Sequence, residues 1–172
     1  MNFKIALPLL LLFAKQAAAQ KADTIVINAK QINTSVLREG IHRYLVYFKM
    51  SKEATRTQTQ FWTRKIERSK LGDKNVITIT QEWEDKDTIV HTVKSVCDDK
   101  TLAPISHDYW WKQRGAASIN FENKTAIYNG SVLTATDTAK QRKAVFNAFQ
   151  SAESKYFLNW HLDMEVFPTL PY

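Results

Sequence analysis

Cysteine is almost missing from this chain. Cys97 is the only one, so no internal disulfide can form, and the core must supply the stability itself. A lone thiol with no second soft ligand makes a poor metal site. Its position after Val96, at the end of a strand pattern, suits a buried, weakly reactive side chain. Glycine is scarce too, with four in 172 residues. There is no Gly-x-Ser-x-Gly turn, no phosphate loop and no dinucleotide fingerprint, so the common hydrolase, nucleotide and NAD signatures are absent. Apolar runs are short, and none reaches the length needed to span a bilayer as a helix. The basic residues outnumber the acidic ones, 24 to 17, but they are spread along the chain rather than gathered in a stripe. That spacing argues against nucleic acid and for a solvated surface.

What is present begins with Met1-Asn2-Phe3-Lys4, the apolar run Ile5–Ala14, and Ala17-Ala18-Ala19. A short basic start, an apolar stretch and an A-x-A site read as a secretory signal peptide over residues 1–19, cut before Gln20. Lys15 is an unusual charge so close to the apolar run. No cysteine follows the cleavage site, so a lipidated N-terminal cysteine is not expected. The expectation is an exported protein of the periplasm or cell envelope. Lys4 and Lys15 leave with the signal, which lowers the net charge from +7 to +5. Residues 20–36 read as a polar leader, broken only by Ile25-Val26-Ile27. Residues 37–172 read as a single β-rich domain.

The domain is organised around residues 75–132. Val76–Trp83 and Thr88–Val96 alternate with period two and are separated by the polar turn Glu84–Asp87. Ile77, Ile79, Gln81 and Trp83 share one face; Ile89, His91, Val93 and Ser95 share another. An aromatic strand runs through Tyr109-Trp110-Trp111, where adjacent tryptophans must point to opposite faces. Gln113–Ala116 reads as a turn. Ser118–Phe121 and Thr125–Tyr128 follow as paired strands, and Asn129-Gly130 as the next turn. Before this meander, Ile41–Met50 reads as a strand with Tyr44, Val46, Phe48 and Met50 on one face. Ser51–Ser69 reads as a long strand expected to bend or bulge, closed by a loop over Leu71–Asn75.

After Val132 the pattern changes. Asp137 or Thr138 can cap a helix in which Val145, Ala148, Phe149 and Ala152 form an apolar stripe. The predicted class is mainly β with one principal helix: a curved antiparallel sheet, an open or half barrel, wrapped on that helix.

Few residues offer chemistry. Of His42, His91, His107 and His161, only His107-Asp108 and His161-Leu162-Asp163 have an acid nearby, and a metal site needs more converging ligands. His161 and Asp163 would share a strand face and form the better pair for a hydrolase. Glu82 and Glu84 would share a face as well, with no second wall opposite them. The aromatic residues carry the stronger signal. Trp62, Trp83, Tyr109, Trp110 and Trp111 are the candidate ligand-binding residues, with Trp160 further on, because such rings stack on sugars or line a site for acyl chains.

The order of these features supports a resemblance. The strand with Tyr44-Leu45-Val46-Tyr47, the long hairpin, the turn Asp98-Asp99-Lys100-Thr101-Leu102-Ala103-Pro104, Ile119-Asn120-Phe121 and the late Phe167-Pro168-Thr169-Leu170-Pro171 are similar to the bacterial envelope family called domain of unknown function 3108, and to its relatives in Bacteroidetes. The resemblance covers residues 41–172. It implies an open sheet like that of lipoprotein carriers, no catalytic residues, and a chain truncated at Tyr172. The function it leads to expect is non-enzymatic: binding or carrying an apolar or amphipathic envelope molecule such as a lipid. No cofactor, metal or nucleic acid is expected, and no transmembrane span after signal cleavage. The alternatives are a saccharide-binding module using surface tryptophans and a hydrolase using His161 and Asp163.

Overall fold

The computed structural model describes residues 29–49, 51–53, 58–153 and 162–170. The signal-peptide segment, Trp160 and His161 lie outside them, and so does the side chain of Asp163.

Among the described residues eight strands form one antiparallel sheet in sequence order, with every strand paired to the next. They are β1 (Gly40–Phe48), β2 (Gln58–Leu71), β3 (Lys74–Asp85), β4 (Thr88–Asp98), β5 (Pro104–Trp111), β6 (Gly115–Asn120), β7 (Thr125–Tyr128) and β8 (Ser131–Val132). Among the described residues the sheet does not close, since β1 and β8 are its two edges. Helix α1 (Lys140–Glu153) and the short α2 (Asp163–Thr169) follow. The mainly β class with one principal helix is therefore what the chain adopts. Among the described residues no helix is long and apolar enough to cross a membrane.

Alternation puts the core on one face, as the period-two pattern requires. Ile66 of β2, Ile77 and Ile79 of β3, Cys97 of β4 and Ile119 of β6 are buried. Two apolar clusters cover them. The first joins Ile66, Ile77, Ile79 and Cys97 to Ile32, Leu37, Leu102, Ala152, Leu162 and Val166. The second joins Ala117, Ile119, Ala126 and Tyr128 to Leu133, Val145 and Phe149. Phe121 packs against both. Val145, Phe149 and Ala152 come from α1 and confirm its apolar stripe, whereas Ala148 is exposed. Residues 29–36, read from sequence as the end of a polar leader, form two 3-10 turns (Ala29–Gln31 and Thr34–Val36). Ile32 is in the core, and the Asn33 amide donates to the Thr169 carbonyl at 2.9 Å.

Several boundaries differ from those expected, each for a local reason. The hairpin from β2 to β3 is only Gly72-Asp73, because Leu71 pairs with Lys74 and Gly72 takes a left-handed φ of 60°. The long β2 pairs without a break. The irregularities fall instead at Trp83/Glu84 and Val96/Cys97. The first adjoins Lys86 and Asp87, both left-handed, the signature of a tight type I′ hairpin. Strand β6 starts at Gly115, inside the expected turn. Any Cβ there would sit 2.0 Å from the Asn129 side-chain oxygen, which accepts from the Ala116 amide at 2.8 Å. Only glycine fits that approach. At the start of α1, Asp137 does not cap the helix directly. It accepts from the Thr134 amide at 2.7 Å and from Arg142 Nε at 2.5 Å, so it ties the preceding turn to the first helical turn.

The turn at 98–104 is held by its own first residue. The Asp98 carboxylate accepts from the Lys100 amide at 3.0 Å, the Thr101 amide at 2.9 Å and the Thr101 hydroxyl at 2.8 Å. Burial alone would push Asp98 up. These hydrogen bonds, with Lys100 nearby, bring it below the usual carboxylate value. Asp99 pairs with Arg68, and its carbonyl accepts from the Thr34 hydroxyl at 2.5 Å, which anchors the N-terminal turns to the same loop.

Candidate ligand-binding face

The strand register lines up rings across the sheet. Tyr44 of β1 faces Trp62 of β2, Trp62 faces Trp83 of β3, Trp83 faces His91 of β4, and His91 faces Trp111 of β5. All five therefore lie on the face that bears the helices. Trp62 and Trp83 stack with centroids 4.0 Å apart and planes 7° apart. Trp83 meets His91 edge-on at 4.4 Å and Trp111 edge-on at 5.3 Å. His91 and Trp111 stack at 3.7 Å. Phe48 extends the row, 6.0 Å from Trp62. Trp83 and His91 are buried, while Trp62 and Trp111 are half-buried on either side of them.

At the Trp111 end the row opens on a notch of about 210 Å³, lined by Gln60, Asp85, Val90, Lys112 and Arg114 as well as Trp111 itself. The Arg114 guanidinium stands 5.6 Å from the Trp111 ring. A cation and an aromatic ring thus share one small opening.

Next to the rings lies a buried polar layer. Arg64, 1% exposed, pairs with Glu165 of α2 at 2.5 Å. In the next rows Gln81, Ser95 and His107 are also buried, and Ser95 Oγ lies 2.8 Å from His107 Nδ1. Burial pushes His107 down to about 4, helped by the nearby His91. Burial pushes His91 down to about 4 as well, against the opposing pull of the Trp110 carbonyl 2.7 Å from its Nδ1. Neutral His91 donates from Nδ1 to that carbonyl, because a carbonyl can only accept. Both rings are uncharged at neutral pH, and that suits an aromatic environment. The Ser95–His107 contact has the reach of a nucleophile and base, but both side chains are buried, at 0% and 1% exposure.

The sequence-predicted binding residues divide. Trp62, Trp83, Tyr109 and Trp111 lie together on the helix face, with Tyr109 5.7 Å from His107 and 6.4 Å from His91. Trp110 lies on the opposite face, as adjacency required. Of the hydrolase pair, His161 lies outside the described residues, and Asp163 is the first residue of α2. Glu82 and Glu84 do not form a pair. The irregularity after Trp83 separates them, and Glu84 binds Arg43 at 3.1 Å. Cys97 is fully buried, and burial, with Glu165 and Asp98 nearby, pushes its thiol up to about 12. Among the described residues no three His, Cys, Asp or Glu side chains converge as metal ligands would.

Sequence reasoning missed the Arg64–Glu165 pair, the Ser95–His107 contact and the place of His91 among the rings. The last had a signal. His91 shares a face with Val93 and lies one strand from Trp83, so correct registry alone would have placed it.

A family model described as "Protein of unknown function (DUF3108)" matches residues 43–172. No curated protein and no solved structure matches the chain.

Proposed function

The chain belongs to the DUF3108 family of proteins of unknown function, and from that premise we propose that it is an exported, non-enzymatic binding or carrier protein for an amphipathic molecule of the cell envelope. The observation that carries the reading is the ring row Trp62–Trp83–His91–Trp111, which ends at a notch holding Lys112 and Arg114. An apolar chain gains from covering the parts of Trp62 and Trp111 that stay exposed, at about 25 cal/mol for each Å² removed from water, while the buried Trp83 and His91 hold those two rings in place. An anionic headgroup gains from two cations at the end of that surface, which outnumber the one carboxylate there, Asp85, and Arg114 is able to bind it through two parallel hydrogen bonds. Nothing in such a role calls for an ionised base, and the two buried imidazoles of this face are neutral. The signal peptide read at residues 1–19 supplies the route to the envelope.

Native mass spectrometry of the protein purified from envelope extract tests this reading. A bound species with the mass of a lipid or other amphiphile is expected. A ligand-free protein that also fails to take up added phospholipid contradicts it.

A further inference from the structure

The outer face of the sheet carries a second feature, independent of the ring row. Cross-strand pairing sets Thr80, Lys94, Asp108 and Ser118 in one line across four strands, and Glu82, Thr92, Trp110 and Ala116 in the next. These two lines border a shallow groove of about 490 Å³. Trp110 is 37% exposed there, an unusual position for so large an aromatic side chain, and it stands among Glu82, Lys94, Asp108 and Ser118. Its strand neighbours Thr92 and Ala116 are small.

The geometry points to this groove as a binding site for an oligosaccharide. A pyranose has one face of C–H groups, which settles on an aromatic ring, and a rim of hydroxyls that both donate and accept. The groove offers both halves. Trp110 supplies the ring. Glu82 and Asp108 accept, Lys94 donates, and the hydroxyls of Thr92 and Ser118 do either. The volume falls in the range of sites for small ligands.

Other ligand classes fit worse. An acyl chain would meet Trp110, Ala116 and Ile127 but would strip water from Glu82, Lys94 and Asp108 with nothing to replace it. A nucleic acid or other polyanion would meet two carboxylates against one ammonium, although the chain as a whole carries a net charge of +7. A neutral sugar chain incurs neither cost.

The test is 19F NMR of the full chain labelled with 5-fluorotryptophan, titrated with cellotetraose, maltotetraose and chitotetraose to about 10 mM, a range that detects affinities near 1 mM. The Trp110 resonance, assigned by its loss in Trp110→Phe, is expected to shift saturably with at least one of them, while the Trp62 and Trp83 resonances stay in place. Trp110→Ala is expected to weaken that binding at least about tenfold, and Asp108→Asn or Lys94→Met about threefold to tenfold, as the loss of one hydrogen bond predicts. Asp108→Asn and Lys94→Met keep the conclusion open to test even where Trp110→Ala fails to fold. No shift of Trp110 with any of the three sugars overturns the inference. So does equal binding by the Asp108 and Lys94 variants, or a Trp110 shift produced by phospholipid instead. The helix-face reading stands or falls separately, since its probe is lipid and its reporter is Trp62.

Discussion

Trp62 and Trp83 lie face to face across β2 and β3, with centroids 4.0 Å apart and ring planes 7° from parallel. The two rings are not equivalent. Trp83 is 4% exposed and meets rings on both sides, whereas Trp62 is half-buried. Trp83→Ala should therefore cost about 3–5 kcal/mol of stability, the range for emptying a buried large aromatic site. Trp62→Ala should cost less and should act mainly on ligand binding. Urea unfolding of the two variants checks the order.

The buried histidines set a pH dependence. His91 and His107 are pushed down to about 4 in the folded chain, against an ordinary value of 6.5. The unfolded chain takes up its protons first as pH falls. Stability is then flat above pH 6.5, declines between 6.5 and 4, and levels off for these groups below 4. The slope in that window is up to about 1.4 kcal/mol per pH unit for each histidine. Denaturation across the window should show the decline, and His107→Gln should remove about half of the slope.

The Arg64–Glu165 pair ties the short α2 to the sheet while both partners are buried. Glu165→Gln should cost about 3–5 kcal/mol, because it removes a buried countercharge from the guanidinium. Replacing both together, Arg64→Met with Glu165→Leu, should cost much less than Glu165→Gln alone. Chemical denaturation of the single and double variants measures the difference.

Burial pushes the Cys97 thiol up to about 12. Its thiolate is scarce at neutral pH, so a thiol reagent should label the native protein negligibly and the urea-unfolded protein fully. Rapid native labelling at pH 7.5 would contradict the burial described.

Much of the fold could be read from alternation. The faces of β3 and β4, the split of Trp110 from Trp111 and the apolar stripe of α1 all follow from spacing alone. The points that could not be read have separate causes. Arg64 and Glu165 are 101 residues apart, and no local pattern links them. Ser95 and His107 are polar residues on the core face, so a rule that sends polar side chains outward misplaces their environment. The irregularity at Trp83/Glu84 follows a Lys86-Asp87 turn that lacks the usual Asn-Gly signature. The start of β6 at Gly115 depends on its contact with Asn129, which appears only once the strands are paired.

The central claim is tested most directly by titrating the purified chain with dihexanoyl phosphatidylglycerol, kept below its micelle concentration, while following tryptophan fluorescence. A saturable change is predicted for the native sequence, lost in Trp62→Ala, weakened in Arg114→Ala and preserved in Trp110→Ala. No change with the native sequence, or a change that Trp62→Ala leaves intact, would contradict the account.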